Sequence, residues 1–145
     1  MTEKDFKRIT GAYSVNLGYS SGIDEGAAYL QGVSKINLSV TDVTDKTLKY
    51  LTNVREIDLS WTKVTDEGLK YLTNVSKINL SHTEVTDEDL KYLKDVREID
   101  LSHTQVTDEG LKYLTSVNSI HLFDTKVTES GFRDLQETGI EKIFR

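Results

Sequence analysis

Three side chains in this sequence have the types of a two-histidine, one-carboxylate metal set: His82, His103 and Asp124. They stand at intervals of 21 residues, and Tyr19, Val40 and Trp61 precede them at the same interval. Zinc or iron donors must converge to about 2.0–2.2 Å from the ion. Equivalent residues on next-but-one strands have Cα atoms roughly 10 Å apart, so only long side chains would close the gap. Histidines near a surface carboxylate ordinarily bind no metal, and the set is carried as an alternative reading. Ser39, Ser60, Ser81 and Ser102 also recur at 21 residues. A serine nucleophile needs a base within reach and an oxyanion hole. Four identical serines read instead as a small polar filler on an outward face. No catalytic constellation is complete, so the chain is expected to be non-enzymatic and to need no cofactor.

The column from Tyr19 to Asp124 has a second reading. Other outward columns are polar for most of their length: Ser14, Lys35, Glu56, Lys77, Glu98, Ser119 and Lys142 form one, and Asn16, Asn37, Asp58, Asn79, Asp100, His121 and Phe144 the next. Lys and Glu alternate along the first, so a self-neutralising cross-strand ladder is expected, and no run of positive charge offers a nucleic-acid groove. The Tyr19–Asp124 column carries aromatic and apolar groups where each strand meets its loop. Aromatic anchors dominate protein interfaces because they bury much area for little entropy. Tyr19, Val40, Trp61, His82, His103 and Phe123 are therefore the expected partner-binding residues, with Trp61, the only tryptophan, foremost.

A 21-residue unit positions these side chains. Val54–Asn74, VREIDLSWTKVTDEGLKYLTN, recurs at Val96–Ser116 with differences only at Trp61/His103, Lys63/Gln105 and Asn74/Ser116. Ile57 and Leu59 have the two-residue spacing of a strand that buries one face. Thr65 or Asp66 suits a helix N-cap, and Asp66 and Glu67 place negative charge at a helix start. Leu69 and Leu72 give the short helix one apolar stripe. Gly68 is Thr47 or Asp89 in sister units, so no glycine-only geometry is expected there. The tyrosines at 29, 50, 71, 92 and 113 are expected to pack between helices. The array runs as a half-unit helix at 1–11, units at 12–32, 33–53, 54–74, 75–95, 96–116 and 117–139, and a last strand at 140–145. Gly22 and Ile23 replace the usual Val and Thr, which predicts a local register adjustment.

One unit buries almost nothing, and stacking makes the core. The recurrent V-x-x-I-x-L-x-x-T-x-V-T-D-x-x-L-K-Y-L resembles the leucine-rich repeat signature over nearly the whole chain, and the V-T-D-x-G-L run is similar to the cysteine-containing, ribonuclease-inhibitor-like subclass. The resemblance implies an α/β leucine-rich repeat solenoid: a right-handed βα superhelix with a parallel sheet on the concave side and short helices on the convex side. It also implies a protein–protein interaction module that binds through its concave strand face and adjoining loop edge. The family's Asn or Cys is Thr41, Thr62, Thr83, Thr104 and Thr125 here, where a hydroxyl serves to bond loop backbone. A spacer array with no specific partner is the remaining alternative.

Composition sets outer bounds. The 145 residues contain no Cys and no Pro, and the formal net charge is −6. The acidic balance disfavours nucleic acid and anionic membranes, and no apolar run is long enough for a signal peptide or a membrane span. A monomeric, cytoplasmic protein with a protein partner is the expectation.

Overall fold

The structure is a computed structural model describing residues 1–145. Each strand is three residues long because only Val/Ile at its centre must face inward. The strands are β1 (Ser14–Asn16), β2 (Lys35–Asn37), β3 (Glu56–Asp58), β4 (Lys77–Asn79), β5 (Glu98–Asp100), β6 (Ser119–His121) and β7 (Lys142–Phe144). They form one parallel sheet in sequence order, and every unit pairs with the next in identical register, Ile36 on Ile57 on Ile78 on Ile99 on Ile120. The helical segments return the chain on the opposite side. Four-residue α-helices at Asp45–Leu48, Asp66–Leu69 and Asp108–Leu111 and 3₁₀ segments at Asp24–Leu30 and Leu90–Leu93 lie between end helices at Glu3–Ile9 and Glu129–Glu137. One continuous core of Ile, Leu and Val runs the length of the array.

The V-T-D sequence has a role beyond capping its own helix. Thr44, Thr65, Thr107 and Thr128 are the N-cap residues, while the Asp that follows reaches forward to the next unit. Asp45 accepts from the Thr65 N–H at 3.0 Å and hydroxyl at 2.8 Å. Asp66 does the same for Thr86, at 2.9 and 2.6 Å, as do Asp87 for Thr107 and Asp108 for Thr128, each at 2.8 and 2.6 Å. Asp24 holds Thr44 in this way and also takes the Thr47 hydroxyl at 2.6 Å. Asp at this position is therefore an inter-repeat clamp, and Thr is the N-cap. Inside the bend, Thr62 Oγ1 donates to the Leu59 carbonyl at 2.6 Å, and Thr41, Thr83, Thr104 and Thr125 make the equivalent bond.

The clamp corrects the expectation for Gly68. A Cβ there would stand 2.4 Å from Asp45 Oδ1 and 2.6 Å from Leu48 Cδ1, and Gly110 and Gly131 face the same conflict with Asp87 and Asp108. Thr47 is accommodated by hydrogen-bonding its clamp. Where Asp89 takes the glycine's place, the α-helix is lost and a 3₁₀ turn starts one residue later. The predicted adjustment at Gly22–Ile23 is present: Gly22 has φ +70°, and Ile23 is fully buried, so the apolar contact shifts by one position. Its unit is 3₁₀ with no side-chain cap. The tyrosines differ in detail from expectation. Tyr50, Tyr71 and Tyr92 lie under the ammonium groups of Lys49, Lys70 and Lys91 at 4.9–5.2 Å, and Tyr113 is exposed.

Two outcomes follow from the clamp. Gly131→Ala would place a methyl 2.2 Å from Asp108 Oδ1 and is expected to destabilise by about 1–3 kcal/mol. Most of that loss should vanish in an Asp108→Ala background, and chemical denaturation of the double-mutant cycle checks it. The hydrogen bonds from Thr128, side chain first and then backbone, hold the Asp108 carboxyl below its ordinary range. A depressed carboxyl contributes stability that is complete above its unfolded value near pH 4 and disappears as pH falls through the native value. Thermal midpoints should therefore drop below about pH 4, and less steeply in Asp108→Asn.

Candidate functional site

The residue after each buried serine turns the chain out of the sheet. Its N–H donates to the serine carbonyl of the following unit, as in Trp61 to Ser81 at 3.1 Å and His82 to Ser102 at 3.1 Å. The turn requires left-handed backbone. Tyr19, Val40, Trp61, His82, His103 and Asp124 all have φ between +50° and +62°. L-residues other than Gly, Asn and Asp visit this region at a cost of roughly 1–2 kcal/mol, and a β-branched residue such as Val40 is an outlier there. The sequence column is thus also a column of backbone strain. The serines lie beside the outward Asn and Asp column but are buried there. Ser39 and Ser60 donate to Asn37 and Asp58 at 2.7 Å, which closes a local turn at the strand end.

Four members of the column make a continuous stack. The Trp61 and His82 rings lie 3.8 Å apart, and the His82 and His103 rings 4.1 Å, both at 16°. His103 Nδ1 then meets Asp124 Oδ2 at 3.0 Å. Partial burial, and after it the charge of His103, pull the His82 imidazole below its ordinary value, which favours the neutral ring in the stack. The stack turns ring faces toward neighbours while the nitrogen lone pairs lie in parallel planes. His82, His103 and Asp124 are adjacent but do not converge, and no group of three His, Asp or Glu is arranged to hold an ion. His121 belongs to a second cluster, stacked on Phe144 at 4.2 Å and tilted against Phe123 at 6.4 Å.

The exposed apolar surface concentrates on this edge. Tyr19 is 83% exposed, Trp61 59% and Val40 42%. Phe123 is also exposed but stands on the β6 unit, three strands from Trp61. Tyr13, on the flank of β1, is exposed too; the signal for it is a large aromatic where sister units carry Ser, Arg or Asn. Beside the edge, the sheet face forms a trough of about 520 Å³ lined by the Lys/Glu and Asn/Asp columns. Lys35–Glu56 and Lys77–Glu98 pair at 2.6 and 2.7 Å, so the ladder is resolved into two discrete pairs.

A family model described as Leucine Rich repeat matches residues 50–73, 71–94 and 92–115. The chain carries leucine-rich repeats over those residues and has the solenoid fold seen in leucine-rich repeat proteins. Among solved structures it is similar to a leucine-rich repeat protein of Leptospira interrogans, with a TM-score of 0.74 at 16% identity over 100% of this chain and 40% of that one. It is also similar to an internalin from Listeria monocytogenes (TM-score 0.68, 15% identity, 99% of this chain and 50% of that one) and to internalin C2 of the same organism (0.66, 20%, 93% and 71%). The chain spans about half the length of the first of these internalins. No curated protein matches the sequence. No helix is long and apolar enough to cross a membrane.

If the left-handed turn strains Val40, relieving it should be measurable. Val40→Asn is expected to raise stability by about 0.5–1.5 kcal/mol, read as a thermal midpoint a few degrees higher by circular dichroism; an unchanged or lower midpoint would show that the turn is relaxed.

Proposed function

We propose that the chain is a non-catalytic protein-interaction module whose contact surface is the loop edge from Tyr19 to His103 together with the adjoining strand face. Leucine-rich repeat proteins generally mediate protein–protein interaction, and the single observation that carries the assignment is the strained, exposed aromatic edge. Val40 and Trp61 sit in a backbone conformation they disfavour, and their side chains cover little of the core in return. Backbone strain of this kind persists where a surface has work to do. The trough beside it is polar and internally paired, and supplies hydrogen-bonding rim around an apolar centre. The protein acts as a monomer, and the lack of cysteine suits a reducing, cytoplasmic setting.

Trp61→Ala is the direct test. Wild type and variant are used as bait in lysate of the source cell, with circular dichroism confirming that both are folded. The variant is expected to lose the specifically captured protein, with a thermal midpoint within a few degrees of wild type. Equal capture by the folded variant would refute the placement, and no specific capture by wild type would favour a spacer array.

A further inference from the structure

The aromatic stack has a gap in it. From Trp61 to His103 each unit contributes one ring, at steps of 3.8 and 4.1 Å. The Tyr19 unit carries a ring as well, but between Tyr19 and Trp61 the column holds only Val40. All of these residues leave the sheet with the same left-handed backbone, so their side chains start in parallel from equivalent points. The β1–β2 and β2–β3 registers are regular, which sets Tyr19 two units from Trp61. Continuing the ring step across the Val40 unit leaves a space about twice that step between the two aromatic walls. A flat group needs about 3.5–4 Å to each wall, so the space fits one and only one. Val40, short and half-exposed, forms its floor. His82 occupies one face of Trp61, and the open face is the one turned toward Val40.

We propose that this slot between Tyr19 and Trp61 takes the guanidinium of an arginine from the protein partner, a reading that rests on the interaction surface proposed above. A guanidinium is flat, weakly hydrated and attracted to ring faces on both sides, and an ammonium lacks the first two properties. Charge complementarity selects a cation over a neutral ring. The chain carries a net charge of −6, and Asp42, exposed two residues beyond Val40, is anchored by the Gly22 N–H at 3.1–3.2 Å. In the Trp61 unit the same position is Lys63 and in the Tyr19 unit Ser21, so among the three units that form the slot only the Val40 unit carries a carboxylate there, and the next one, Glu84, lies beyond Trp61. The partner segment is therefore arginine-bearing and basic, and it inserts one side chain edge-on between the rings.

Trp61 is the only tryptophan, so its emission and its indole N–H resonance report on the surroundings of that one side chain. The full chain is titrated with three blocked Gly/Ser peptides identical except for a central Arg, Lys or Phe. The Arg peptide is expected to give a saturable shift with Kd of about 1 mM or tighter. The Lys and Phe peptides should bind at least about fivefold more weakly, and Tyr19→Ala or slot-filling Val40→Phe should weaken the Arg peptide about tenfold. Binding of the Lys or Phe peptide as tight as that of the Arg peptide overturns the proposal. So does undiminished Arg binding in folded Val40→Phe, or no saturable shift with any peptide. Partner capture lost in Trp61→Ala while no peptide shifts Trp61 would leave the interaction surface standing and remove the arginine. An Arg-specific shift with capture unchanged in Trp61→Ala would overturn both, because the slot would then bind an arginine that is not the partner's.

Discussion

The hydrogen-bonded Asp–Thr link between successive units is the constraint on which the rest of this molecule depends. A three-residue strand and a four-residue helix are each too short to be stable alone. The array makes them stable by giving every element a neighbour in fixed register, and the clamp sets that register on the helical side. Thr107 is the clearest case: its hydroxyl donates to Asp87 of the preceding unit and accepts from the Glu109 N–H of its own helix. One side chain thus satisfies an orphan amide at a helix start and ties two units together. The ladder hydrogen bonds do the same on the sheet side. Between them the core residues have no freedom to slip.

This rigidity explains why the loop edge can be strained. One non-glycine residue in each of six successive units holds positive φ, a pattern that a flexible turn would relax by changing conformation. Here the inward Thr fixes the bend on one side, through its hydroxyl bond to the strand carbonyl three residues earlier, and the N–H of the strained residue is bonded to the next unit on the other. The backbone is over-determined, so the side chain at that position is free to be chosen for what it does outside the protein. A change from His to Trp there costs the scaffold little, because the backbone geometry is imposed from both flanks.

Much of this was legible in the residues and some was not. The period, the seven strands, the inward Ile/Leu/Val set and the bend threonines follow from the repeat, because stacking makes every buried position recur. The aromatic column was legible as the one outward column that is not polar. Its backbone conformation was not, since Tyr, Val and Trp carry none of the usual signals of a left-handed residue, and His and Asp only a weak one. The clamp was hidden for a different reason. Asp after Thr at a helix start has a sufficient local explanation in capping and the helix dipole, and that explanation concealed the partner 20 residues ahead. Gly68 was misread as replaceable on the same account, because the carboxylate that needs the space comes from the preceding unit. The serines were read as a polar filler on the outward face, and stacking of the units together with bonds to the neighbouring Asn and Asp buries them there.

The near-identical units Val54–Asn74 and Val96–Ser116 separate scaffold from surface. Most positions at which they agree are buried, clamp a neighbour, or pair along the sheet. Where they differ, Trp61 and His103 stand at opposite ends of one stack with His82 between them, and Asp124 closes only the His103 end. The stack is therefore polar in direction: a carboxylate terminates one side, and a bare indole face is presented on the other. A repeat array has translational symmetry, and a symmetric surface would bind a partner equally well in several registers one unit apart. Substituting Val at one position, Trp at the next and His at the following two breaks that symmetry at a single place. Specificity in such a scaffold comes from where the repeat fails, and in this chain it fails most sharply between Tyr19 and Trp61.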